Sequence, residues 1–213
     1  MSTVSESNGD LPVGTRRDRL RRELVAEVVA TARRHLAEGG PASVSWRGIA
    51  REVGVNPASL YTYFDSLDDL FTAVIVDSFS RLGVAVGQAA ASASGLGPLD
   101  RLMACARAYR SWALEHPGEF NLIFTDRIPG YVAPPAGPTV EVQAAIFGPF
   151  ITALDELVSE RSAEPDPITL SDERVAVWAT MHGFVILEIN NHLPFLEDPA
   201  QVFDRSLRRL VGT

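Results

Sequence analysis

Twenty residues constrain this chain most: Ser45 to Phe64, SWRGIAREVGVNPASLYTYF. Ser45 is placed to cap a helix, its hydroxyl accepting a backbone N–H that the first turn leaves unpaired. Trp46, Ile49, Ala50 and Val53 recur at helical spacing on one face. Gly54 stands where that helix must stop, because glycine enters the left-handed conformation without a Cβ clash. Asn56 and Pro57 restart the chain, Asn as a cap and Pro with φ already set for the first helical position. Leu60 and Phe64, four apart, point inward, which leaves Ala58, Ser59, Tyr61, Thr62 and Tyr63 for an outward face. Two short helices joined by a glycine turn, the second with small and hydroxylated outer residues, suit the floor of a DNA major groove.

Helices are predicted for the rest of the chain too. From about Arg16 to Glu38, Leu20, Leu24, Val28, Ala32 and Leu36 recur every four residues, and Val25 and Val29 widen the stripe. Gly39-Gly40 ends this helix, and Arg33, Arg34 and His35 are expected in its last turn at the negative end of the dipole. Ser66 caps the next helix, with Asp68 and Asp69 in its first turn, and the pattern holds to about Val86. The Ala/Gly/Ser stretch from Gly87 to Gly97 reads as a loop or frayed end. Pro98 opens a helix ending at His116-Pro117, and residues 118–125 form a short one. Ile128 to Pro138 is a Pro- and Gly-rich loop, followed by a helix from about Thr139 to Ser159. Arg161 to Thr169 is a second connection; Ser171 caps a helix to about Asn190, and Asp198-Pro199 opens the last, ending near Val211. No segment alternates with period two. The expected fold is all-α with about nine helices: a polar, disordered arm at 1–15, an N-terminal three-helix domain bearing the helix-turn-helix at 16–76, and a C-terminal helical domain at 77–213.

Composition narrows the function. A hydrophobic fraction of 46% is that of a folded domain, and no apolar run approaches the roughly 20 residues that span a bilayer, so no membrane partner is expected. Residues 1–15 lack the pattern of a signal peptide, and the single cysteine, Cys105, fits a reducing cytoplasm and excludes cysteine-based zinc. Cys105 itself lies on an apolar helix face and reads as packing. The four histidines (35, 116, 182, 192) form no i, i+4 pair with a carboxylate, so no metal is expected. There is no Gly-rich phosphate loop and no Gly-x-Ser-x-Gly elbow, so neither an enzyme nor a cofactor is expected. The net charge of −8 is unevenly spread: residues 1–64 carry nine Arg against seven acids, the remainder ten Arg against twenty. Phosphate contact depends on the local patch, so the charge split orients the N-terminal segment toward nucleic acid. All 19 basic residues are Arg, and Arg16, Arg17, Arg19, Arg21 and Arg22 cluster beside the two-helix motif as a phosphate-contacting arm.

The amphipathic helix ending in Gly-Gly, then IAREVGV, SLYTYF and a capped helix with DDLFTAVI, together resemble the TetR family of bacterial transcriptional regulators over residues 16–76. The resemblance implies that Ser45 and Arg47 lie near phosphate at the start of the supporting helix. It implies that Asn56, Pro57, Ala58, Ser59, Tyr61, Thr62 and Tyr63 form the recognition helix, with the Tyr61 and Tyr63 phenols reaching base edges or phosphate. The family usually has Lys where this chain has Leu67, which shifts the electrostatic task onto Arg16–Arg22 and Arg47. Trp178-x-x-x-His182-Gly183 and ALEHPGEFNLIF (113–124) resemble a subgroup's effector domain.

In the C-terminal half, Val175, Trp178, Ala179, His182, Ile186 and Leu187 share one helical stripe, and Val202, Phe203, Ser206, Leu207 and Leu210 share another. With Ala179 and Gly183 small enough for close approach, the two stripes form the expected four-helix dimer interface; the other reading is that they complete the subunit's own core. His182 reads as a satisfied core or interface group rather than a metal ligand. Met103, Tyr109, Trp112, Phe120, Phe124, Phe147, Phe150 and Trp178 either build a core or line a pocket for an apolar or aromatic ligand, with the 128–138 loop as lid. The function expected is a homodimeric regulator, a repressor released from a palindromic operator by a small molecule. The alternative is a TetR-like DNA- or protein-binding module without a ligand.

Overall fold

The computed structural model describes residues 15–125, 128–132, 138–161 and 166–212. The expected disordered arm falls almost wholly outside them, as do residues 133–137 of the expected lid. Nine α-helices and one 3-10 turn make up the described chain: α1 (Arg16–Gly39), the 3-10 turn (Pro41–Ser43), α2 (Trp46–Val53), α3 (Pro57–Leu60), α4 (Leu67–Ser92), α5 (Pro98–Glu115), α6 (Pro117–Phe124), α7 (Pro138–Arg161), α8 (Pro167–Ile189) and α9 (Pro199–Val211). No strand occurs among the described residues.

Three local expectations need correction. α4 continues through the presumed loop to Ser92, because its Ala-rich end favours helix and Val86 and Ala93 are buried. α8 starts at Pro167, ahead of Ser171: Asp166 accepts the N–H groups of Ile168 at 2.8 Å and Thr169 at 3.2 Å, and Pro167 supplies the pre-set φ. The hydrogen bonds to Thr169 hold the Asp166 carboxyl below its ordinary pKa. Arg33, Arg34 and His35 lie before the last turn of α1 and reach sideways to other helices.

Apolar packing forms two clusters. The first joins α1 to α3 and the start of α4, with Val28, Ala32, Ile49, Ala50, Leu60, Leu70 and Val74 closed to solvent. The second joins the rest of α4 with α5 to α9 around Phe79, Leu82, Met103, Tyr109, Phe120, Ile146, Met181, Phe203 and Leu207. α4 thus feeds both, and Ile75 packs against each of them. Two segments, Leu67–Ser92 and Val142–Arg161, reach membrane-span length and mean hydropathy, against the expectation from sequence. They are core helices packed on one another, Ile146 lying fully buried near Gly83.

The N-terminal unit meets the second cluster through α6. A Cβ built on Gly118 would stand 2.8 Å from the Ala37 Cβ and 3.0 Å from its Cα. Gly118→Ala is expected to cost about 1–3 kcal/mol through this overpacking. The check is a lowered urea midpoint at unchanged slope; an unmoved midpoint would mean that α1 and α6 separate freely.

Candidate nucleic-acid interface and apolar cavity

The local chemistry of the two-helix motif follows its residues. Ser45 accepts the Gly48 N–H at 3.2 Å. Gly54 has φ +78°, and its N–H and that of Val55 both donate to the Ala50 carbonyl at 2.9 Å. Asn56 Oδ1 accepts the Ala58 N–H at 2.9 Å, and Pro57 opens α3. α3 is shorter than expected: Tyr61 to Tyr63 continue as turns, with the Tyr63 and Phe64 N–H groups donating to the Leu60 carbonyl. Below it, Leu60 and Phe64 are buried.

The outward face holds Ala58 and Thr62 exposed, Ser59 half-exposed, and Tyr61 54% exposed. The Ser59 and Thr62 hydroxyls donate to the carbonyls of Asn56 and Ser59, both at 2.6 Å, so their oxygen lone pairs remain for an incoming donor. Trp46 supports this face, its ring centroid 5.4 Å from Tyr61 and 6.2 Å from Phe64. Tyr63 turns toward α1, where the Arg21 guanidinium sits 5.2 Å from its ring centroid. The run of arginines in the sequence gives no hint of this contact; it arises because the turn after α3 brings Tyr63 beside the start of α1.

A groove runs between the start of α1 and the turn after α3, its polar lining including Arg16, Arg17, Asp18, Arg21, Thr62 and Tyr63. Thr15 and Asp18 cap α1 reciprocally, and the Thr15 hydrogen bonds hold the Asp18 carboxyl below its ordinary pKa. Arg19 faces Glu23 at 3.7 Å, an exposed pair. Arg16, Arg17, Arg47 and Arg51 are exposed and make no ion pair among the described residues. On the far side of α1, His35 Nε2 lies 2.8 Å from Glu52 of α2, and Arg34 bonds the same carboxylate. The His35 contact is the main reason the Glu52 carboxyl stays below its usual range.

In the C-terminal cluster the Tyr109 hydroxyl meets His182 Nδ1 at 3.0 Å. Phe120, Phe124 and Trp178 surround the imidazole with centroids at 5.5, 5.1 and 5.5 Å. Burial pushes the tyrosine pKa up and the histidine pKa down, so both are neutral at pH 7. His182 therefore lies among its own subunit's aromatics rather than on an outward face. Met103, Tyr109 and Phe120 are fully buried, Trp112 nearly so, and Phe124 packs against Phe79.

The open volume lies elsewhere, as a cavity of about 330 Å³ between α7 and α8. Of the residues expected to line a pocket it keeps Phe147, Phe150 and Trp178; Ile151, Leu154, Val175, Val177 and Met181 complete an apolar wall. Its one charged lining residue is Arg174, bonded to Asp155 at 3.0 and 2.5 Å. The sequence stripes gave no sign of this placement, since helical spacing does not say how far apart two helices stand.

The expected dimer stripes divide as well. Phe203 and Leu207 are 1% exposed and belong to the subunit's own core. Arg107–Asp204 and Arg208–Asp100 pairs fasten α9 to α5 on the same side. Val202, Ser206 and Leu210 are half-buried. On α8, Val175, Trp178, Ala179 and Leu187 are exposed, Ile186 is half-buried, and a Cβ on Gly183 would meet nothing within 4 Å.

Comparison with known proteins agrees with this architecture. Residues 28–74 match the bacterial regulatory proteins of the tetR family, and residues 102–210 match the tetracyclin repressor-like C-terminal domain. The HTH-type transcriptional regulator Rv1816 of Mycobacterium tuberculosis is 32% identical over 94% of this chain and 95% of its own. A second regulator of that organism, Rv0681, is 29% identical over 91% of this chain and 82% of its own. The crystal structure of SCO4313 superimposes with a TM-score of 0.76 at 29% identity, covering 93% of this chain and all of that one. With its capped two-helix motif, basic groove and helical C-terminal cluster, this chain belongs to the TetR family of DNA-binding transcriptional regulators.

Proposed function

We propose that the protein is a cytoplasmic, homodimeric repressor that reads a palindromic operator through Asn56–Tyr63 and is released by an apolar ligand. In this reading residues 16–76 form the DNA-reading head and 77–213 the effector and dimerisation domain, of the subgroup marked by Trp178-x-x-x-His182-Gly183. The observation that carries it is the juxtaposition of an exposed Ala58, Tyr61 and Thr62 face with exposed Arg16, Arg17 and Arg47, which make no ion pair among the described residues. Side chains of the first kind read base edges, and those of the second kind anchor phosphate. The exposed α8 residues Val175 and Ala179 and the half-buried Gly183, with α9 beside them, supply a face for a second copy. Two heads related by a two-fold axis meet half-sites about one helical turn, roughly 34 Å, apart. The cavity between α7 and α8, walled by Phe147, Phe150 and Trp178, supports an apolar ligand whose unequal affinity for two arrangements of the heads shifts DNA binding.

Gel shifts at graded salt test the DNA reading. The unmodified protein should retain a duplex selected from a randomised pool, with affinity falling steeply as salt rises. Arg47→Ala should weaken binding to every sequence alike and reduce the magnitude of the log–log salt slope by about one. No retention even at low salt would defeat the proposal.

A further inference from the structure

α6 has two turns and two different neighbours. Phe120 and Phe124 enter the aromatic cluster around Tyr109 and His182. The residue before Phe120, Glu119, points the other way and is 9% exposed. Its Oε1 lies 2.6 Å from Nη1 of Arg33 on α1, and its Oε2 lies 3.2 Å from Nε of Arg81 on α4. Arg33 also faces Asp77 of α4 at 3.1 Å, and His116 stands 3.9 Å from Glu119 at the start of α6. Only the Arg33 Nη1 contact is aligned as a hydrogen bond; the Nε atoms of both arginines are buried at ion-pair distance without that alignment. One carboxylate from the C-terminal helices is thus held by two arginines, one on the first helix of the head and one on the helix running between the two cores.

We propose that Glu119 is a positioning residue for DNA recognition: it clasps α6 to α1 and α4, fixes the angle of the head, and lets go when α6 is displaced. The regulatory consequence rests on the DNA-binding reading above. A buried carboxylate between two guanidinium groups cannot be withdrawn in part, because removing one partner strands a charge away from water. Any shift of Phe120 or Phe124 in the aromatic cluster is carried by the same short helix, so the clasp converts it into release of the head. Close approach at Gly118 and Ala37 makes α6 bear directly on α1, and Asp77 keeps Arg33 attached to α4 after Glu119 has left.

The test uses the full chain with nitroxides at Ala26→Cys on α1 and Ser111→Cys on α5, both exposed positions, Cys105 being buried. Labelled protein is diluted into unlabelled protein and the head-to-body distance distribution is measured without DNA. Glu119→Gln and Arg33→Gln should each broaden the distribution, the double variant no further than either single one, while Asp77→Asn leaves it narrow. DNA affinity for the selected duplex should fall at least about fivefold in Glu119→Gln, the lower end of couplings between sites. That variant should also tolerate changed half-site spacing, which a simple loss of stability would not produce. A narrow distribution in Glu119→Gln, or additive broadening in the double variant, overturns the proposal. Should Glu119→Gln not fold, Arg33→Gln against Asp77→Asn decides the same question. If the unmodified protein selects no duplex, the DNA reading fails while the distance measurement still decides the clasp.

Discussion

Leu60→Ala should destabilise the N-terminal core by about 2–5 kcal/mol, the range for emptying a leucine-sized space in a packed interior. Leu60 is the last residue of α3, has no solvent exposure, and packs in the cluster of Ile49, Ala50, Phe64 and Leu70. α3 has only four residues and cannot hold its own shape, since a helix this short lacks the hydrogen bonds to offset its nucleation cost. Its position depends on this one anchor, on the Asn56 cap and on the Gly54 turn. Retention of DNA should therefore vanish before global unfolding does. The measurement pairs gel shift with urea unfolding followed by helical circular dichroism. A variant that keeps wild-type DNA affinity would show that α3 is seated by contacts other than Leu60.

A bulky charge at the half-buried Gly183 of α8 should have the second large effect. At Gly183 a new Cβ would meet no neighbouring side chain or helix within 4 Å, so Gly183→Arg should leave the fold intact. Near a two-fold axis the new guanidinium would face its own copy, and burying two like charges is strongly unfavourable. The variant should elute as a monomer with unchanged helical content. Its affinity for the selected palindrome should fall by about 10²–10⁴, the gain that linking two binding modules provides. A dimeric elution profile with full DNA affinity would remove α8 from the proposed interface.

Much of the head was legible residue by residue. Ser45, Asn56 and Ser66 cap helices in the structure because a capping bond involves atoms two or three residues apart, so no distant partner is needed. Gly54 takes the positive φ read from its place after Val53 for the same reason. Where two local signals competed, as at Asp166-Pro167 against Ser171, the stronger cap took the helix start. The C-terminal half was less legible. The stripe on α9 is real, but a stripe does not name its partner: Phe203 and Leu207 face α5 and α8 of the same subunit. Likewise Met103 and the aromatics from Tyr109 to Phe124 fill space, whereas the cavity opens between helices whose spacing depends on the whole bundle.

Glu119 shows the limit most clearly. In sequence it is one acid in the first turn of a short helix, beside His116 and Pro117. Its arginine partners lie 86 and 38 residues upstream, and only the packing of α6 against α1 and α4 brings them to it. The sequence alone determined the helical class, the caps at Ser45, Asn56 and Ser66 and the glycine turn, since each depends on short-range backbone chemistry. The tertiary structure decided which apolar faces close, where a cavity stays open and which charges meet, since those outcomes depend on distances between helices.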